Sequence, residues 1–253
     1  MTLLNLAFDL AHRAGVEILA VRARGFDTMR KSDASPVTEA DHAAEAIIAA
    51  GLRAATPGIP VVAEEEIAAG HVPADAQAYW VVDPLDGTRE FAAGRDEFAV
   101  CIGLVRGGRP ALGVVGAPGQ GEVFGGIVGV GAWKRGPGGE VRIATRKVPA
   151  AGMAVVASRH NADDPRLQPF LAGHKVASVL NIGSALKFCR VAEGLADLYP
   201  RFGRTMEWDT AGPQALVEAA GGSVVVAESG APLRYGKPGW ENPGFVCTGW
   251  VAG

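Results

Sequence analysis

The sequence predicts a mixed α/β (α+β) fold in two parts, and three observations carry that prediction. Residues 3–55 hold two apolar stripes at helical spacing. The middle of the chain is a series of apolar runs broken by Gly and Pro at hairpin distances. From Ala154 onward, strand-like and helix-like segments alternate. The texture changes between residues 145 and 150, so the expected subdomains are 1–147 and 148–253. A chain of 253 residues lies near the limit of roughly 250 to 300 at which single cores stop growing.

Leu3, Leu6, Ala7, Leu10, Ala14 and Ile18 share one face of a helix over about 3–22. The polar stretch GFDTMRKSDASP follows and is expected to be mobile. Thr38-Glu39-Ala40-Asp41 has the form of a capping box and opens an alanine-rich helix that ends near Ala55, before Pro57-Gly58. Ile59 to Ala63 reads as a short strand running into Glu64-Glu65-Glu66. Trp80-Val81-Val82 is a buried strand, and Pro84 is expected to take the chain out of the sheet directly after it. The runs AVCIGLVRGG, ALGVVGAP and GEVFGGIVGVGAW make a mostly antiparallel sheet. The second part reads as strands at 155–157, 176–180, 196–199, 223–227 and 244–248, with helices at PRLQPFLAG, from Ser184 to Glu193, and one ending at Gly221-Gly222.

Composition removes several classes of function. The formal net charge is −3 and no Lys/Arg run occurs, which argues against a nucleic-acid polymer as partner. Cys101, Cys189 and Cys247 are widely spaced and form no C-x-x-C, so free buried thiols in a reducing compartment are expected. The N-terminal helix is amphipathic and lacks the apolar core of a signal peptide, and no uncharged run reaches the roughly 20 residues of a membrane span. A soluble cytoplasmic protein is the expectation. The five histidines show no zinc spacing, and ordinary surface or core roles are expected for them.

The chemistry is concentrated in WVVDPLDGTREF at 80–91. Two carboxylates, Asp83 and Asp86, crowd the end of an apolar strand and repel one another unless protonated or bridged by a cation; hard oxygen ligands suit Mg²⁺. Gly87-Thr88 adds backbone N–H groups and a hydroxyl at a helix start, a phosphate site. Glu64 after PVVA and Asp209 before AGPQAL have the same setting. Taken singly, the Glu64-Glu65-Glu66 run reads as a solvated turn and Asp209 as a first-turn acid favoured by the helix dipole. Brought together, they would hold two divalent ions roughly 3.5 to 4 Å apart.

The blocks SPVTEADHAAE at 35–45, VVAEEE at 61–66, DPLDGTREF at 83–91 and EWDTAGPQALVEAAGG at 207–222 resemble, in order and spacing, those of the inositol monophosphatase superfamily. The resemblance implies a layered α/β/α/β/α sandwich of the inositol monophosphatase and fructose bisphosphatase type. It also implies a lithium-sensitive, Mg²⁺-dependent phosphatase with two or three ions per site. Glu64, Asp83, the Leu85 carbonyl, Asp86 and Asp209 would be metal ligands, with Glu65 assisting at a further ion. Asp86, Gly87 and Thr88 would bind phosphate. Thr88, with Asp41 behind it, would orient the attacking water, and Glu64 would serve in catalysis as well as in metal binding.

Within the superfamily, GSALKFCRVAEGLADLYPRFGRTMEWDT at 183–210 and LRYGKPGWENPGFV at 233–246 are most similar to the bacterial 3′(2′),5′-bisphosphate nucleotidases. These convert 3′-phosphoadenosine 5′-phosphate to AMP in sulfate assimilation. Arg201 stands where inositol monophosphatases carry a glutamate that accepts from sugar hydroxyls, and a guanidinium suits a second phosphate. Ser184 and Lys187, at i and i+3 of one expected helix, would add to that anion pocket. Arg89-Glu90 fits the nucleotidase motif, and Ser158-Arg159-His160 matches its counterpart in part. The partner is then a phosphorylated small molecule, and the chain a monomer or homodimer. Three alternatives stay open: action on inositol phosphates, action on sugar or histidinol phosphates, and a non-catalytic nucleotide-binding protein. The extra residue in Asp83-x-x-Asp86 breaks the geometry of haloacid dehalogenase-like phosphatases.

Overall fold

A computed structural model of the chain describes residues 2–30, 36–71 and 76–250. Its helices are α1 (Leu3–Arg24), α2 (Glu39–Ala55), α3 (Glu64–Ala68), α4 (Thr88–Ala92), α5 (Leu167–Ala172), α6 (Leu186–Ala192) and α7 (Glu207–Ala219). The strands of the first part are β1 (Thr28–Arg30), β2 (Pro36–Thr38), β3 (Val61–Ala63), β4 (Ala78–Asp86), β5 (Ala99–Arg106), β6 (Arg109–Ala117), β7 (Glu122–Ile127), β8 (Gly131–Gly136) and β9 (Gly139–Ile143). Those of the second are β10 (Met153–Ser158), β11 (Val176–Ile182), β12 (Leu198–Arg201), β13 (Thr205–Met206), β14 (Ser223–Val226), β15 (Glu241–Asn242) and β16 (Phe245–Thr248).

Strands β3 to β9 form a seven-stranded sheet in sequence order, antiparallel except for the β3–β4 pair. A five-stranded mixed sheet follows in the order β11-β10-β12-β16-β14. Helices α1 and α2 cover one face of the large sheet, α6 and α7 fill the space between the sheets, and α5 closes the far face of the small one. These are the five layers of an α/β/α/β/α sandwich. The chain passes from one sheet to the other between Ile143 and Met153.

Local physics explains the elements. Leu6, Leu10, Ala14 and Ile18 of α1 are buried as their spacing requires, and the helix stops at Gly25 with φ +83°. The Thr38 hydroxyl accepts from Ala40 N–H at 3.2 Å while Asp41 Oδ2 accepts from Thr38 N–H at 2.8 Å, so the capping box forms. Of the polar stretch before it, residues 31–35, with Ser35 of the first family block, lie outside the described residues. Its flanks pair as β1 and β2.

The end of β4 departs from expectation. The chain does not leave the sheet at Pro84. Strand β4 runs on to Asp86, with Asp83 opposite Cys101 and Asp86 opposite Ala99, so one extra residue bulges out between them. Pro84 has no N–H to give the ladder, and a bulge accommodates that without ending the strand. Pro213 lies inside a helix, as the seventh residue of α7. It lacks the N–H that would close onto the Asp209 carbonyl.

Helix α7 lies unusually close to the large sheet. A Cβ at Gly113 would stand 2.0 Å from the Gly212 carbonyl oxygen, and one at Gly103 2.6 Å from Gly212 N. Backbone therefore packs on backbone, and this contact sets the distance between α7 and strands β5 and β6. Among the described residues no helix is long and apolar enough to cross a membrane. All three cysteines are buried and free.

Candidate active site

The end of β4, the start of α4, the β11–α6 turn and the start of α7 converge on one cavity of about 320 Å³. Glu64, Asp83, Leu85, Asp86, Gly87, Thr88, Ser184, Lys187, Arg201 and Asp209 all line it. Glu65 does not. Its side chain is buried and its N–H donates to Glu45 Oε2 at 2.7 Å. Asp41 stands behind the wall, reached through Thr88.

Each aspartate is aimed by its own backbone contact. Asp83 Oδ1 accepts from Leu85 N–H at 3.0 Å across the bulge, Asp209 Oδ2 from Met206 N–H at 2.9 Å, and Asp86 Oδ2 from Ala185 N–H. The group is crowded, and Asp83 is buried. Burial, with Asp86 and Glu64 nearby, pushes Asp209 up to about 8. Burial also raises Asp86 to about 6, against the pull of the Lys187 ammonium. Among the described residues no three His, Cys, Asp or Glu side chains are already drawn together tightly enough to hold an ion. Asp86 and Asp209, both raised by burial, are nevertheless hard oxygen donors that a divalent cation would relieve.

The turn after Asp86 is shaped for a small anion. Gly87 has φ +92°, and a Cβ there would stand 3.0 Å from the Glu97 carbonyl oxygen and from Ser184 Cβ, so glycine alone fits. Thr88 begins α4, as its sequence setting suggested. Its hydroxyl can donate to Asp41 Oδ1 at 3.2 Å or to the Leu85 carbonyl at 3.1 Å. Asp41 is itself anchored by its Oδ2 contacts to Thr38 N–H and Oγ1, both at 2.8 Å.

The basic end of the cavity departs from expectation. Ser184 is not on the helix with Lys187. It precedes α6 with φ +50°, and its hydroxyl accepts from Leu186 N–H at 3.3 Å. Lys187 is 3% exposed, with its ammonium donating to the Ile182 carbonyl at 3.2 Å and to the Ser184 carbonyl. Burial pushes it down to about 8. Arg201 donates from Nη2 to the Arg204 carbonyl at 3.0 Å, and its buried Nε has no hydrogen-bond partner.

Sequence reasoning gave His160 an ordinary role, but it lines the cavity with Ser158, and its Nε2 stands 2.7 Å from Glu90 Oε1. Tyr199, Thr205 and Thr210 are further lining residues that it did not single out. It also passed over Glu45, four residues after Asp41 on the buried face of α2. Glu45 accepts from Glu65 and Glu66 N–H and is raised to about 7 by burial. The i, i+4 spacing of two acids on an apolar stripe was the available signal.

The family model described as the inositol monophosphatase family matches residues 1–249. A 3′(2′),5′-bisphosphate nucleotidase CysQ from Escherichia coli K12 is 44% identical over 246 residues, covering 96% of this chain and 98% of that one. The Haemophilus influenzae nucleotidase of the same name is 30% identical, covering 98% and 93%. Among solved structures, CysQ from Bacteroides thetaiotaomicron, described as a bacterial member of the inositol monophosphatase family, superposes with a TM-score of 0.81. It is 34% identical, with 96% and 95% coverage. An inositol monophosphatase from Thermotoga maritima reaches a TM-score of 0.79 at 25% identity, with 98% and 92% coverage.

Proposed function

The chain belongs to the inositol monophosphatase family, and on that premise we propose that it is a Mg²⁺-dependent phosphatase that converts 3′-phosphoadenosine 5′-phosphate to AMP and phosphate. One observation supports the reading: Glu64, Asp83, Asp86 and Asp209, the Gly87-Thr88 turn and Arg201 line a single cavity. A bisphosphate has complementary ends, one phosphoryl group to be cleaved and one to be held. The name shared by the 44% identical relatives agrees.

Glu64, Asp83, Asp86, Asp209 and the Leu85 carbonyl would hold the ions, which supply Lewis acidity and neutralise charge as the phosphoryl group transfers. The chain's own residues do the rest. With its proton committed to Asp41 or to the Leu85 carbonyl, the Thr88 hydroxyl offers only lone pairs to a water, which it orients as a hydrogen-bond acceptor. Glu64 takes up the proton that this water gives away. The N–H groups of Gly87 and Thr88 bind the phosphoryl oxygens, and Arg201 holds the second phosphate. Lys187 contributes its charge from beneath the Ser184 turn. In this arrangement no side chain has to become phosphorylated.

The test is phosphate release from the bisphosphate with Mg²⁺ and with EDTA. Turnover that requires Mg²⁺ and falls at least on the order of 10²-fold in Asp83→Asn is expected. Turnover in EDTA, or an Asp83→Asn enzyme of full activity, refutes the assignment.

A further inference from the structure

Four side chains outside the proposed catalytic set join the two walls of the cavity. On one side is the loop after α4, with Glu97; on the other are the turn after β10, Ser158-Arg159-His160, and the turn before α6, Gly183-Ser184-Ala185. Arg159 Nη2 donates to Glu97 Oε1 at 2.6 Å and to Oε2 at 2.7 Å. Gly183 N–H donates to the same Oε2 at 2.8 Å. His160 Nε2 lies 2.7 Å from Glu90 Oε1 beside it. Arg159 does not line the cavity, but the residues on either side of it, Ser158 and His160, do. The Gly183 contact fixes the turn in which Ser184 takes its strained φ of +50°.

From this we infer that Glu97 and Arg159 are positioning residues: their ion pair holds the Ser158–His160 wall at the distance that fits the nucleoside part of a bisphosphate substrate. The inference rests on the nucleotidase reading above. Glu97 and Arg159 are 28% and 35% exposed, so their pair adds little to folding stability. What it governs is where a turn sits. Partial burial alone would raise Glu97, but Arg159 and the Gly183 N–H hold it below the ordinary carboxylate range. A phosphomonoester that reaches only the Gly87-Thr88 turn does not use this wall.

The experiment compares Arg159→Met, Glu97→Gln and their double variant with the wild type, on 3′-phosphoadenosine 5′-phosphate and on p-nitrophenyl phosphate. Glu97→Gln keeps an acceptor for Gly183 N–H, so it weakens the Arg159 tie selectively. Each single variant is expected to raise KM for the bisphosphate about tenfold, with kcat and p-nitrophenyl phosphate turnover within about twofold of wild type. The double variant should be no worse than either single one, because all three break the same contact. Unchanged KM, multiplicative losses in the double variant, or equal losses on both substrates overturn the inference. A wild-type enzyme that ignores the bisphosphate sinks the nucleotidase reading, and this inference with it; a wild-type enzyme that accepts the bisphosphate while the variants match it sinks the inference alone.

Discussion

Asp209 shows how the site trades stability for chemistry. A carboxyl of ordinary pKa near 3.9 in the unfolded chain is pushed up to about 8 in the folded one, so the folded state binds the extra proton. The stability this group contributes is complete below its unfolded pKa and is lost as pH rises through 8. Asp86 adds a loss of the same sign up to about 6. In EDTA the protein should therefore lose stability between pH 5 and pH 8, Asp209→Asn should flatten that slope, and excess Mg²⁺ should restore the wild type at pH 8. Urea unfolding midpoints check this, and a midpoint that rises with pH in EDTA contradicts it. At this scale the sequence was most informative where chemistry is local: Asp83, Asp86, Gly87 and Thr88 are neighbours in the chain and neighbours in the cavity. Lys187 was opaque for the opposite reason. In LKFCRVA it resembles a helix lysine facing water, and only the carbonyls before α6 and the ring of Tyr199, 5.1 Å away, make it a buried cation. Nothing adjacent in sequence announces that His160 meets Glu90.

At the level of elements, the contact of α7 with the sheet decides where Asp209 stands. Because Gly113 and Gly103 admit the Gly212 backbone with no side chain between, a single methyl forces the helix outward. Gly113→Ala should cost about 1–3 kcal/mol by overpacking and lower kcat on the order of 10²-fold for each ångström by which Asp209 is displaced. Denaturant unfolding and turnover on the same preparation check both effects, and an enzyme with wild-type kcat shows that α7 is not placed by this contact. Element boundaries were legible where capping chemistry is explicit, as at Thr38. They were missed where a long-range contact overrides local preference. The strand through Pro84 persists because β5 pairs on either side of the bulge. The start of α6 is delayed because Gly183 is held by Glu97 and Ala185 by Asp86.

Across the whole molecule, a clamp fastens the segment that joins the two sheets to the five-stranded one. Asp197, fully buried, accepts from Arg146 Nε and Nη2 at 2.8 and 2.9 Å and from Ala154 N–H at 2.7 Å. These partners hold its carboxyl below the ordinary range despite its burial. Its contribution is present above the unfolded pKa and is lost as pH falls through the folded one. Arg146→Met should cost about 2 kcal/mol at neutral pH, with a difference from wild type that shrinks on acidification toward pH 3; a constant difference across that range contradicts the clamp. The five-layer order could not be read from periodicity, which separates helices from strands but does not say which sheet a helix faces. It came from the resemblance of four motif blocks, and the packing of α6 and α7 between both sheets bears it out. Whether this framework is tuned to a bisphosphate rather than a polyol phosphate is decided by kcat/KM for 3′-phosphoadenosine 5′-phosphate and inositol 1-phosphate with Mg²⁺, in wild type and Arg201→Glu. The expected result is a wild-type preference for the bisphosphate that drops by about tenfold to a hundredfold when Arg201 is reversed. A wild-type preference for inositol 1-phosphate, or a preference indifferent to Arg201, would contradict it.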